Sequence, residues 1–181
     1  YGVWPDAYYL GTNETGTKPV YAMDRAAILA GTTATWQRFT AGPNLGGFGF
    51  QMIPPADVEG TTPPPARAPG IFMRHRDDEA HNPGSNNPNA DFLEIFEFRV
   101  DFVTPANSSV TGPIAIPISE FNSRINGLTA FSGILQTGTS TSLDPLREPV
   151  MHRLIYRNFG SYEALVGNLV TNVGPGDTAA T

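Results

Sequence analysis

Phe92-Leu93-Glu94-Ile95-Phe96-Glu97-Phe98-Arg99-Val100-Asp101-Phe102 decides the fold class. In an extended chain Phe96, Phe98, Val100 and Phe102 point one way, and Glu97, Arg99 and Asp101 the other. Leu93 and Ile95 add apolar surface to the second face, so the first half of this strand is expected to be buried on both sides.

The same short-period pattern continues in both directions. Residues 7–10 and 20–23 read as a hairpin across a polar, Gly-containing turn. Further strands are expected at 35–39, 48–53, 71–76, 150–156 and 164–170. Ile114-Ala115-Ile116-Pro117-Ile118 reads as an edge strand, because Pro117 has no N–H to give to a neighbour. Residues 24–30 switch to helix formers, with Asp24 placed to cap the first turn and Gly31 to end the last. Pro63-Pro64-Pro65 is a stiff connector, 78–91 a polar loop, and 104–107 a short turn.

Composition agrees with a β-rich chain. The 181 residues contain 19 Gly and 17 Pro, too many for a coiled coil or helical bundle. With hydrophobic residues at 40%, the chain carries too much apolar surface to be disordered throughout. Lys and Arg number 11 against 17 Asp and Glu, a net charge of −6 with no basic stripe, which argues against nucleic acid as a partner. No run of about 18 apolar residues occurs, so no membrane insertion is expected. Cysteine is absent, which excludes a disulfide framework and a thiolate site.

The order strand, strand, small helix or turn, edge strand recurs along the chain, and successive antiparallel meanders are the units of a β-propeller. The reading is therefore an all-β chain forming part of a propeller, roughly two to two and a half four-stranded blades in a single partial domain. Its units are 1–45, lacking an opening strand, 46–125, and 144–181, lacking its last strands. A β-sandwich is the alternative. Propellers close with about 4–8 blades, so the chain reads as a fragment whose partner is the remainder of the same propeller, as further sequence or a separate chain.

Gly2-Val3-Trp4-Pro5-Asp6-Ala7-Tyr8-Tyr9, Val20-Tyr21-Ala22-Met23-Asp24-Arg25, Arg74-His75-Arg76-Asp77-Asp78-Glu79-Ala80-His81-Asn82 and Tyr156-Arg157-Asn158-Phe159-Gly160 carry a resemblance. They are similar to segments of large secreted bacterial proteins with a sialidase-like propeller, most of which have no assigned activity. The resemblance implies a propeller fold and a secreted or cell-surface location. It brings no reaction and no catalytic residues.

The densest group of functional side chains is 74–82. Arg74, His75 and Arg76 are candidate ligand-binding residues. Asp77, Asp78, Glu79 and Asp91 offer hard oxygen ligands suited to calcium, and His81 completes the candidate metal set. His75 and His81 with one acid could instead hold zinc. The competing reading is an internal network in which Arg pairs with acid and fixes the loop. Asp6 with Asp78 or Glu79 is the candidate catalytic pair for glycoside hydrolysis, which needs carboxyls about 5–9.5 Å apart. Arg147, Arg153 and Arg157 form a second candidate ligand-binding group, able to grip a substrate carboxylate. Trp4, Tyr8, Tyr9 and Trp36 could stack on sugar rings or fill the core. No nucleophile elbow, phosphate loop or dinucleotide fingerprint occurs. The functional expectation is an extracellular binding or structural module for carbohydrate or protein, with a sialidase-like hydrolase or lyase as the alternative.

Overall fold

The computed structural model describes residues 1–14, 16–46, 52–82, 85, 87, 89–123, 134–144 and 149–172. The elements are β1 (Gly2–Val3), β2 (Ala7–Gly11), β3 (Pro19–Asp24), α1 (Arg25–Leu29), β4 (Trp36–Thr40), β5 (Ala56–Glu59), β6 (Gly70–Arg76), α2 (Asp78–His81), β7 (Phe92–Arg99), β8 (Ser109–Pro117), β9 (Leu154–Asn158) and β10 (Glu163–Val166). The chain is all-β. Among the described residues three sheets form, ordered β1-β2-β3-β4, β6-β7-β8 and β10-β9-β5. In the first two, each strand pairs antiparallel with its neighbour in sequence. The third joins the β9–β10 hairpin to β5, which runs parallel to β9. No helix among the described residues is long and apolar enough to cross a membrane.

Alternation along the strands builds the core. Ala7, Tyr9, Val20 and Ala22 are buried on the inner face of the first sheet. Phe72, Phe96 and Phe98 face them from β6 and β7. The Tyr9 ring meets Phe72 at 5.8 Å and Phe98 at 5.7 Å, and Phe39 meets Phe98 edge-on at 5.2 Å. The opposite face of β6 and β7 presents buried Met73 and Ile95. Val150, Leu165 and Gly167 approach these two across a groove of about 350 Å³. The β7 strand is thus apolar on both sides around Ile95–Phe96, as its sequence predicts. Trp4 ties the first sheet to the third. Its indole N–H donates to the Ala56 carbonyl at 2.7 Å, and its ring lies 4.9 Å from that of Tyr156.

Local signals explain several boundaries. Asp24 Oδ1 accepts from the Ala27 N–H at 3.1 Å, capping α1, and Gly31 follows with φ +65°. Pro117 ends β8, which is an edge strand. Register slips between Ile95 and Glu97, where β8 inserts an extra residue at Gly112–Pro113. Gly112 has φ +122°, and a Cβ there would lie 2.7 Å from the Ile95 carbonyl oxygen.

Two differences from the sequence reading stand out. β1 supplies the strand thought missing from 1–45. It is two residues long, too short to show alternation. β5 follows two prolines and was not expected as a strand. It takes a place beside β9 and runs parallel to it, so β9 and β10 form a sheet with β5. Of the expected strand 48–53, residues 48–51 lie outside the described residues; Pro55 makes a single bridge to Phe72.

The 53–56 segment crosses the inner face of the first sheet at two glycines. An added Cβ would lie 2.1 Å from Ala56 O at Gly2 and 2.0 Å from Ile53 O at Gly11. These are backbone atoms that cannot swing aside. Gly11→Ala is therefore expected to cost about 1–3 kcal/mol in urea unfolding, the range for overpacking. A cost near zero would mean that this segment does not pass over the sheet.

Candidate functional site

β6 ends at Arg76, and the chain turns at once into α2. Asp77 causes the turn. Its Oδ1 accepts from the Ala80 N–H at 3.0 Å, the N-cap arrangement, while its backbone stays extended. Its Oδ2 accepts from both the N–H and the hydroxyl of Ser123. Asp91, just before β7, works in the same way. It accepts the Asp78 N–H at 3.0 Å and the Phe121 N–H at 2.8 Å. Asp78 Oδ2 accepts from the Ser85 hydroxyl and from the Asn87 N–H. Three buried carboxylates thus stitch α2, the loop after it and the 120–123 segment together.

The resulting cluster is acidic and dry. Asp77, Asp78, Glu79, Asp91 and Glu120 are all buried. Asp77, Asp78, Glu79 and Asp91 each bring an oxygen to within 4.8 Å of the others. Burial pushes the Glu79 carboxyl up to about 9, helped by the neighbouring carboxyls of Glu120, Asp77 and Asp78. Burial also raises Asp91 to about 6, against the pull of its two amide donors and with the help of Glu120 and Asp77. It pushes Asp78 up as well, but the Ser85 hydroxyl and the Asn87 N–H outweigh it and hold that group below the ordinary carboxylate range. Asp78 Oδ1, Glu79 Oε2 and Glu120 Oε2 are enclosed and accept no hydrogen bond.

The basic groups of β6 are committed to a different acid. Arg74 and Arg76 pair with Glu94 at 2.7 and 3.3 Å. Arg74 also donates to the Pro43 carbonyl at 2.8 Å and lies over the Phe96 ring. Arg76 lies over the Phe92 ring at 4.3 Å. His75 is buried beside the rings of Phe121 and His81. His81 Nδ1 lies 2.9 Å from the Gly46 carbonyl, which can only accept, so the proton sits on Nδ1. Burial lowers the His81 imidazole to about 4 and keeps it neutral.

An open cavity of about 400 Å³ lies over this cluster. Its polar wall is Arg76, Asp78, His81, Ser85 and the amides of Asn44, Asn82 and Asn87. Asp78 is the one acid among the cavity's described lining residues.

The structure gathers some candidates and separates others. Asp77, Asp78, Glu79 and Asp91 come together; the calcium-type donor set is all oxygen, and His81 turns aside to Gly46. Asp6 does not join them. It is exposed and accepts from the Tyr9 hydroxyl at 3.0 Å, and Tyr9 packs on Gly70 at the start of β6. Asp78 follows the other end of that seven-residue strand, roughly 20 Å away at about 3.3 Å per residue. Asp6 with Asp78 or Glu79 is therefore too far apart for a glycosidase pair. Arg153 forms ion pairs with Asp57 and Glu59, and Arg157 lies over the Phe159 ring. Both line a separate cavity on the third sheet. Arg147 lies outside the described residues. Trp4 and Tyr9 are core, whereas Trp36 is 62% exposed on the outer face of the first sheet, 5.8 Å from Tyr21. Glu120, Ser123 and Asn44 were missed, since nothing local marks them.

No protein-family model, curated protein or solved structure matches the chain.

Proposed function

We propose that the chain is an extracellular binding module, part of a secreted β-propeller, and that the cavity beside α2 takes a carbohydrate. One observation carries the choice of binding over cleavage: among the described lining residues a single acid, Asp78, reaches the cavity. Most glycoside hydrolases use two carboxyls flanking the scissile bond. The other polar groups of the wall are amide, guanidinium, imidazole and hydroxyl, which pair with the vicinal hydroxyls or the carboxylate of a sugar. The segment 74–82, one of those that resemble secreted propeller proteins, supplies Arg76, Asp78, His81 and Asn82 to this wall. The open outer face of the first sheet, with Tyr8, Leu10, Tyr21, Met23 and Trp36, is what a further blade would cover.

The test is a panel of neutral and uronic-acid oligosaccharides, titrated calorimetrically and then checked for products. Binding without release of reducing ends is expected. Arg76→Ala is expected to weaken it at least tenfold, the size of about one charge-assisted hydrogen bond. Product formation abolished by Asp78→Asn would restore the hydrolase reading.

A further inference from the structure

We infer that Asp77, Asp78, Glu79 and Asp91, with Glu120 beside them, form a binding site for one calcium ion. Clustered acids alone say little, since loops often use them as hydrogen-bond acceptors. Here a second observation points to a ligand. Asp78 Oδ1, Glu79 Oε2 and Glu120 Oε2 are sealed from solvent without a hydrogen-bond partner. A buried carboxylate oxygen left without a donor is costly, and a cation supplies what the protein does not. The nearest arginines, Arg74 and Arg76, make their ion pairs with Glu94 and not with these acids.

Size and ligand type admit calcium. Calcium holds oxygens at about 2.3–2.6 Å, so two of its ligands lie up to about 5 Å apart. Magnesium, at about 2.0–2.1 Å, limits that span to about 4.2 Å. The four carboxylates each bring an oxygen to within 4.8 Å of the others, inside the calcium limit, and magnesium in addition demands a near-ideal octahedron and sheds its waters reluctantly. The donors are all carboxylate oxygen, the hard set that calcium prefers over zinc. Asp77, Asp78 and Asp91 are already fixed by amide and hydroxyl donors, so the site is pre-shaped.

The inference stands apart from the sugar reading, because it is read by melting temperature and ion titration without any sugar. The chain is stripped with EGTA and scanned with and without calcium chloride. At about a hundredfold excess over Kd the melting temperature is expected to rise by roughly 5–10 °C, with one ion per chain by calorimetry and a much smaller response to magnesium. Glu79→Gln removes one carboxylate ligand at nearly unchanged size, so it is expected to fold and to lose most of the calcium response. Asp78→Asn keeps an oxygen for Ser85 and Asn87 and provides a second removal if the first variant folds poorly. A wild-type melt indifferent to calcium and EGTA overturns the site. So does a Glu79→Gln protein that folds and keeps the full response, which would place the ion elsewhere.

Discussion

Phe98→Ala lowers stability by about 3–5 kcal/mol, the cost of emptying a large aromatic from a packed core. Phe98 is fully buried and touches three rings, Tyr9, Phe39 and Phe72, drawn from both of the sheets it lies between. Neither sheet can close over the vacancy. Gly70 is already pressed against the Tyr9 ring, and Gly42 against Phe96. Urea unfolding followed by tryptophan fluorescence measures the loss, since Trp4 sits in the same core. A loss below about 1 kcal/mol would place β7 outside the core and undo the packing of these sheets.

The second large effect is electrostatic. Arg74→Met is expected to cost about 3–5 kcal/mol, because it leaves Glu94 charged and buried with only a weaker partner. The Arg74 and Glu94 side chains are 4% and 2% exposed, whereas Arg76 reaches Glu94 from a side chain that is 37% exposed. Removing both partners together, Arg74→Met with Glu94→Leu, is expected to cost less than Arg74→Met alone. Buried pairs repay their desolvation so narrowly that apolar replacements of similar size are often neutral. Chemical unfolding of the two single variants and the double variant closes the cycle. Strict additivity would mean that the two side chains do not depend on each other.

Much of the fold follows from patterns within a few residues of each other. The alternation at 92–102 gave β7 and the class, although the strand itself stops at Arg99 and 100–102 lie beyond it. Asp24 and Gly31 bracket α1 because a cap and a left-handed terminator are local chemistry. β1 and β5 are legible only through their partners. A two-residue strand has no period, and β5 pairs with β9, which lies far along the chain. α2 was hidden inside a run read as polar loop, although Asp77 followed by Asp78 and Glu79 is the pattern of a capped, acidic first turn.

The site divides in the same way. Asp77, Asp78, Glu79 and Asp91 stood out because they crowd one short stretch. Glu120 and Ser123 joined them through the return of the chain after β8, which no local pattern announces. Asp6 failed as their partner for a geometric reason: strand β6 holds the two ends of the proposed pair apart. Arg74 and His75 looked available for a ligand, but Phe72 and Phe96 draw that part of the strand into the core. Only Arg76, one step further along, reaches the cavity.

Binding at the cavity beside α2 is tested most directly by amide spectra of the isotopically labelled chain, titrated with the oligosaccharide panel. The account predicts shift changes centred on Asn44, Leu45, Gly46, Arg76, His81, Asn82 and Asn87, with the third sheet undisturbed. Changes centred instead on Arg153 and Arg157, or on Tyr8 and Trp36, or no change across the whole panel, would contradict it.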